Sequence, residues 1–108
     1  KKGLAAVVRV MGQSMVSDGP GTFEASSAIT LVGSDMSREA ARQTYEMAGV
    51  APCDIDVCEL HDCFAQNELL SYEALGFCEP GNGQAFVEAG DNTYGGAVVV
   101  NPSGGLLS

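Results

Sequence analysis

Within six residues, Glu59-Leu60-His61-Asp62-Cys63-Phe64 gathers the chain's single histidine, a thiol and two carboxylates. The stretch joins a segment that reads as a strand to one that reads as a helix. In α/β folds ligands bind outside the carboxyl ends of strands, and a helix start adds unpaired N–H groups and partial positive charge. An ordinary cysteine, with a pKa of about 8.5, is only a few per cent thiolate at neutral pH; a helix start and a neighbouring imidazole both favour the thiolate. Cys63 is therefore a candidate nucleophile or proton carrier, or else a small hydrophobe packed under the helix. His61 can donate a hydrogen bond to a developing oxyanion, a contribution of about 3 kcal/mol, or be a satisfied structural histidine. Asp62 reads as a helix cap. Glu59 either orients His61 or faces solvent. No metal site is expected, because adjacent side chains at a strand end alternate in direction and no second ligand cluster exists.

Two further stretches stand out. Gly90-Asp91-Asn92-Thr93-Tyr94-Gly95-Gly96 reads as a tight turn and lacks the lysine of a phosphate loop. In Asn101-Pro102-Ser103-Gly104-Gly105 the glycines permit close approach of backbone to a ligand, although a plain strand-to-loop turn has the same composition.

The elements that must hold these residues follow from periodicity. Leu4–Val10 reads as a buried or half-buried strand that can extend to Met15, followed by a turn at Ser17–Gly21. Thr22–Val32 fits loop, short helix or strand. Ser37–Ala48 is a helix, with Ala40, Ala41, Thr44, Met47 and Ala48 on one face. Asp35 or Ser37 is its expected cap, Gly49 its left-handed stop, and Pro52 prevents continuation. Ile55–Leu60 reads as a strand and Phe64–Leu75 as a second helix ended by Gly76. Glu79–Gly96 reads as a long glycine-rich connection, and Ala97–Val100 as a short strand. The order β, α, β, α, β predicts an α/β fold, with helices layered on a mixed, largely parallel sheet. All of residues 1–108 belong to one unit, read as a single partial domain.

Composition excludes several classes of function. The formal net charge is −9, from 14 acidic and 5 basic residues. That surface repels phosphate backbones, and the cations Lys1, Lys2, Arg9, Arg38 and Arg42 form no block, so no nucleic-acid partner is expected. No run approaches the roughly 20 apolar residues of a membrane helix, so no membrane insertion is expected. Lys1-Lys2 before an apolar stretch superficially suggests a signal peptide, but the stretch is short and broken by Arg9. Cys53, Cys58, Cys63 and Cys78 match no zinc spacing. They read as reduced thiols of an intracellular protein.

Together these blocks resemble one family. Asp54-Ile55-Asp56-Val57-Cys58-Glu59-Leu60-His61-Asp62-Cys63-Phe64, Asn67-Glu68-Leu69-Leu70 and Tyr72-Glu73-Ala74-Leu75-Gly76 look like sterol-carrier-protein-type thiolases. So do Gly90–Gly96, Val100–Leu106, and Asp35-Met36-Ser37 with Glu39–Arg42. In ordinary thiolases the His-Asp-Cys-Phe block is Asn-Glu-Ala-Phe. The resemblance implies part of the C-terminal one of two βαβαβαββ halves. It also implies a thiolase, an acetyl-CoA C-acyltransferase that cleaves 3-oxoacyl-CoA with coenzyme A as co-substrate and holds no covalently bound cofactor. On this chain His61 would build an oxyanion site and Cys63 would handle the α-carbon proton. Asn101, Gly104 and Gly105 would shape the loop at the substrate. The nucleophilic cysteine of the other half, the Gly-His-Pro histidine and a Cys-x-Gly motif are not among these 108 residues, so the chain alone is expected to be inactive. The parent is expected to be a homodimer in a peroxisome or mitochondrion, or in bacterial cytoplasm. The other reading is a non-catalytic module that binds acyl-CoA, lipid or a protein.

Overall fold

The computed structural model describes residues 8–17, 19 and 33–106. Its elements run α1 (Ser34–Ala48), a 3₁₀ turn (Pro52–Asp54), β1 (Val57–Cys58), α2 (Ala65–Ala74), α3 (Gly83–Glu88) and β2 (Val99–Val100). The strands β1 and β2 pair in parallel, Val57 opposite Val99 and Cys58 opposite Val100. A parallel pair needs a long crossover, and α2 and α3 supply it. The expected α/β architecture with parallel pairing is what the chain adopts.

Local chemistry explains where the helices begin and end. α1 opens one turn earlier than the cap residues suggest, from Gly33 at φ 82. Neither Asp35 nor Ser37 caps it: both lie inside the helix, and Asp35 instead pairs with Arg38 at 3.0 Å. Arg42 grips Glu39 and Glu46 across successive turns, each at 2.6 Å. Gly49, at φ 70, ends α1; the N–H groups of Gly49 and Val50 both reach the Tyr45 carbonyl, at 2.8 and 3.2 Å. Only a residue free of a Cβ penalty takes that conformation easily. Of the expected apolar face, Ala41 is buried while Met47 stays exposed.

Two expectations need correction. The strand expected from Leu4 toward Met15 is not formed over its described part: Val8, Val10 and Met15 are exposed and residues 8–17 carry no regular structure. Ser14 instead ties this segment to α1, donating to the Ala40 carbonyl at 2.7 Å and meeting Thr44 Oγ1 at 2.8 Å. Leu4–Val7, most of the 17–21 turn and Thr22–Val32 lie outside the described residues. The connection Glu79–Gly96 is not all loop, since α3 stands in its middle. Phe86 drives it, buried at 7% exposure against the core, with Gly90 at φ 77 just past its end.

The core centres on Tyr72, Phe86 and Val98, with Ile55, Cys58, Leu60, Leu69, Phe77, Cys78 and Val100 packed around them. The Tyr72 and Phe86 rings meet tilted at 54°, centroids 5.4 Å apart, a geometry that aromatic quadrupoles favour. Gly83 lets α3 approach α2 closely: a Cβ there would lie 3.1 Å from the Leu69 carbonyl. α1 is joined to the end of α2 by the Tyr45 hydroxyl, which donates to the Leu75 carbonyl at 2.9 Å.

Candidate functional site

β1 ends at Cys58 and α2 begins at Ala65, so Glu59–Phe64 forms the corner between them. His61 is exposed on this corner and Cys63 is half-buried. The α2 start has Phe64 in extended conformation at its N-cap, with no side-chain cap. The expected cap, Asp62, is engaged elsewhere. Below His61, Asn67 donates from Nδ2 to the His61 carbonyl at 3.0 Å, and Ser71 donates to the Asn67 carbonyl at 2.8 Å. The first two turns of α2 thus anchor the backbone of the corner.

The second wall is the turn after β2. Asn101 continues the ladder, its N–H donating to the Cys58 carbonyl at 2.8 Å. It then turns left-handed at φ 47, the one non-glycine residue with positive φ among the described residues. Asparagine tolerates that region better than most side chains. Its side-chain oxygen accepts from the Leu60 N–H at 2.8 Å, while its Nδ2 is buried without a hydrogen-bond partner. Gly104 and Gly105 follow at φ 109 and 67, and the Gly104 N–H returns to the Asn101 carbonyl at 2.9 Å.

The two walls are bonded to each other through carboxylates. Glu59 accepts from the Ser103 N–H at 3.0 Å through Oε1 and from the Ser103 hydroxyl at 2.7 Å through Oε2. Asp62 accepts from the Leu106 N–H at 2.6 Å. A Cβ on Gly105 would land 2.8 Å from Asp62 Cγ, so the turn passes directly over that carboxylate. Of the residues expected at a site, His61 and Cys63 sit on the corner and Asn101, Gly104 and Gly105 on the opposing turn. Glu59 faces Ser103. Ser103 and Leu106 were not expected as partners of the corner, because Glu59 and Asp62 lie 44 residues away and no local pattern encodes such a pairing.

The thiols differ in setting. All four cysteines are free; Cys53 is exposed and Cys58, Cys63 and Cys78 are half-buried. Burial first, then the charge of Glu59, raises the Cys58 thiol above its ordinary pKa. Burial, then Glu73 and Glu79, does the same for Cys78. Among the described residues no group of three His, Cys, Asp or Glu side chains is placed to hold a metal ion. The Gly90–Gly96 block is more than a turn: its Asp91 and Asn92 carbonyls accept from the N–H groups of Val98 and Val100 at 3.0 and 3.1 Å. Asn92 also donates to the Tyr72 hydroxyl at 3.2 Å, which ties the block to the core.

Comparison with known proteins bears on this corner. Residues 21–108 match the family model described as thiolase C-terminal domain-like. Sterol carrier protein 2 of Rattus norvegicus is 60% identical over 109 residues, covering 100% of this chain and 20% of that protein. The benzoylsuccinyl-CoA thiolase subunit BbsB of Thauera aromatica is 43% identical over 108 residues, covering 100% of this chain and 27% of that protein. A solved structure titled Ltp2-ChsH2(DUF35) aldolase superposes with a TM-score of 0.61 at 33% identity, over 64% of this chain and 18% of that one. The chain thus spans about a fifth to a quarter of the length of these curated relatives.

Proposed function

Because the chain belongs to the thiolase C-terminal domain-like family, we propose that it supplies one wall of a thiolase active site in which His61 and Cys63 meet a 3-oxoacyl-CoA. In this reading His61 stabilises the negative charge that develops on the thioester or enolate oxygen. Cys63 takes and returns the proton of the α-carbon. The acyl group is carried by a nucleophile from another part of the parent protein, and CoA is the second substrate. A homodimeric parent and an intracellular site of action belong to the same proposal.

One observation carries the reading. The corner that bears the chain's only imidazole and one of its thiols is bonded across to a glycine-rich turn at the carboxyl end of the paired strand. Ligands of α/β folds bind at that end of the sheet. Two of the relatives carry a CoA-linked substrate in their names, a benzoylsuccinyl-CoA thiolase subunit and an acetyl-CoA acetyltransferase, which supports a substrate of that broader kind.

The test is CoA-dependent cleavage of a 3-oxoacyl-CoA by the full-length protein that contains this chain. His61→Ala should lower kcat about 10²- to 10³-fold, as loss of one oxyanion donor does. Cys63→Ala should abolish the proton transfer, seen as lost exchange of the acetyl-CoA methyl protons with deuterated solvent. Wild-type kcat in both variants would overturn the assignment. A second reading is favoured by a relative named non-specific lipid-transfer protein-like 2, 46% identical over 104 residues: a module that binds acyl-CoA without reacting. Tight acyl-CoA binding with no turnover in the wild-type protein would select it.

A further inference from the structure

We infer that Glu59 and Asp62 are positioning residues, whose carboxylates clamp the His61–Cys63 corner onto the turn after β2. The inference rests on the assignment of His61 and Cys63 to the reaction. Sequence position suggests other roles, a cap for Asp62 and either an orienting or a solvent-facing role for Glu59. The structure gives both a different partner.

The corner has no regular secondary structure between Cys58 and Ala65. Its geometry must therefore come from bonds to neighbours. On its own side it has the Asn67 amide at the His61 carbonyl. Across the site it has Asn101 at Leu60, Ser103 at Glu59 and Leu106 at Asp62. Glu59 and Asp62 thus bracket His61 on both sides and flank Cys63 from before. Each turns a carboxylate oxygen toward a backbone N–H, a stronger bond than a neutral pair makes. Gly105 completes the arrangement, since a side chain there would displace the Asp62 carboxylate. A shift of about 1 Å in a group near the chemistry can cost about 10²-fold in rate. Side chains that fix a reacting group commonly do so through such outer bonds.

The experiment uses the full-length protein and four variants: Glu59→Ala, Glu59→Gln, Asp62→Ala and Asp62→Asn. The amide variants keep an acceptor for Ser103 or Leu106, and the alanine variants do not. Both alanine variants should lower kcat for thiolysis about 10- to 100-fold, with KM for CoA changed less than about threefold. The amide variants should recover most of that loss. Cys63 alkylation by iodoacetamide, followed by mass spectrometry, should change at least about fivefold in the alanine variants while Cys53 is unaffected. Unchanged kcat and Cys63 reactivity in the alanine variants would overturn the inference. So would a loss that the amide variants share in full. If the alanine variants do not fold, Ser103→Ala decides, because it removes only the hydroxyl donor to Glu59 and should still lower kcat several-fold; wild-type kcat there counts against the clamp. If the wild-type protein shows no thiolysis, the functional reading falls, and the Cys63 alkylation rates alone decide whether the clamp exists.

Discussion

Tyr72 shows how one side chain couples packing to the site. It is the large side chain that is fully buried among the described residues. Its hydroxyl donates to Glu68 and accepts from Asn92. Burial first, then the Glu68 bond, raises its pKa well above the ordinary tyrosine value. The neutral phenol is thus the form the fold requires. Its contribution to stability is complete below about pH 10 and is lost as pH rises toward the folded value. Tyr72→Phe keeps the ring against Phe86 but leaves Glu68 and Asn92 each short of a partner. It should cost about 1–3 kcal/mol, read as a lower denaturation midpoint at unchanged slope. Asn92 lies in the Gly90–Gly96 block, so the same substitution should loosen the segment whose carbonyls hold Val98 and Val100.

At the scale of elements, two helices and the parallel α/β plan were legible, while the third helix and the strand bounds and register were not. α1 and α2 announce themselves by period and by their glycine stops, Gly49 and Gly76, both left-handed. α1 ends at Ala48 as expected, and the other bounds differ by one to three residues, where fraying and caps blur any reading. The helix α3 escaped because six residues offer too little periodicity; Phe86 and Val87 alone do not separate a helix from an apolar turn. The strands appeared as apolar runs, Ile55–Leu60 and Ala97–Val100, yet only Val57–Cys58 and Val99–Val100 pair. Register depends on a partner more than forty residues away, which no local pattern specifies. The same limit hid the bonds from Glu59 to Ser103 and from Asp62 to Leu106, although the corner itself was picked out from sequence as the candidate site.

The solvent face of α1 offers a direct electrostatic check. Hydrogen bonds from Arg42, then Gln43, hold the Glu39 carboxyl down from 4.5 to about 2. A depressed carboxyl contributes above its unfolded pKa, and that contribution fades as pH falls through the folded value. Glu39 should therefore titrate near pH 2 by carboxyl carbon NMR at low salt. Arg42→Ala should return it toward 4.5, and an unchanged midpoint in that variant would show that the bonds in solution differ. The pair is exposed, with side-chain exposure of 53% and 41%, so added salt should also move the midpoint up.

For the molecule as a whole, the described core is small. Ala41, Tyr72, Ala74, Phe86 and Val98 are its buried apolar residues, while Val57, Phe64, Tyr94 and Leu106 remain exposed. The parallel ladder is two residues long, and relatives of this chain are four to five times its length. Three or more strands, or extensive packing on helices, are normally required for an independent sheet. The 108-residue chain by itself is expected to melt broadly by circular dichroism and to bind the dye ANS. A sharp, cooperative transition of a monomer would show that the small core suffices.

The bonds that join residues 59 and 62 to 103 and 106 bridge 44 positions of sequence. Contacts of such high order carry a loop-closure cost before they return any stability, and they form late. During synthesis α1 and α2 can therefore condense while the histidine-bearing corner is still unset. It gains its cross-site bonds only once residues 101–106 have left the ribosome, so a stalled nascent chain ending before Asn101 would hold α1 and α2 with the corner tied on one side alone, through Asn67.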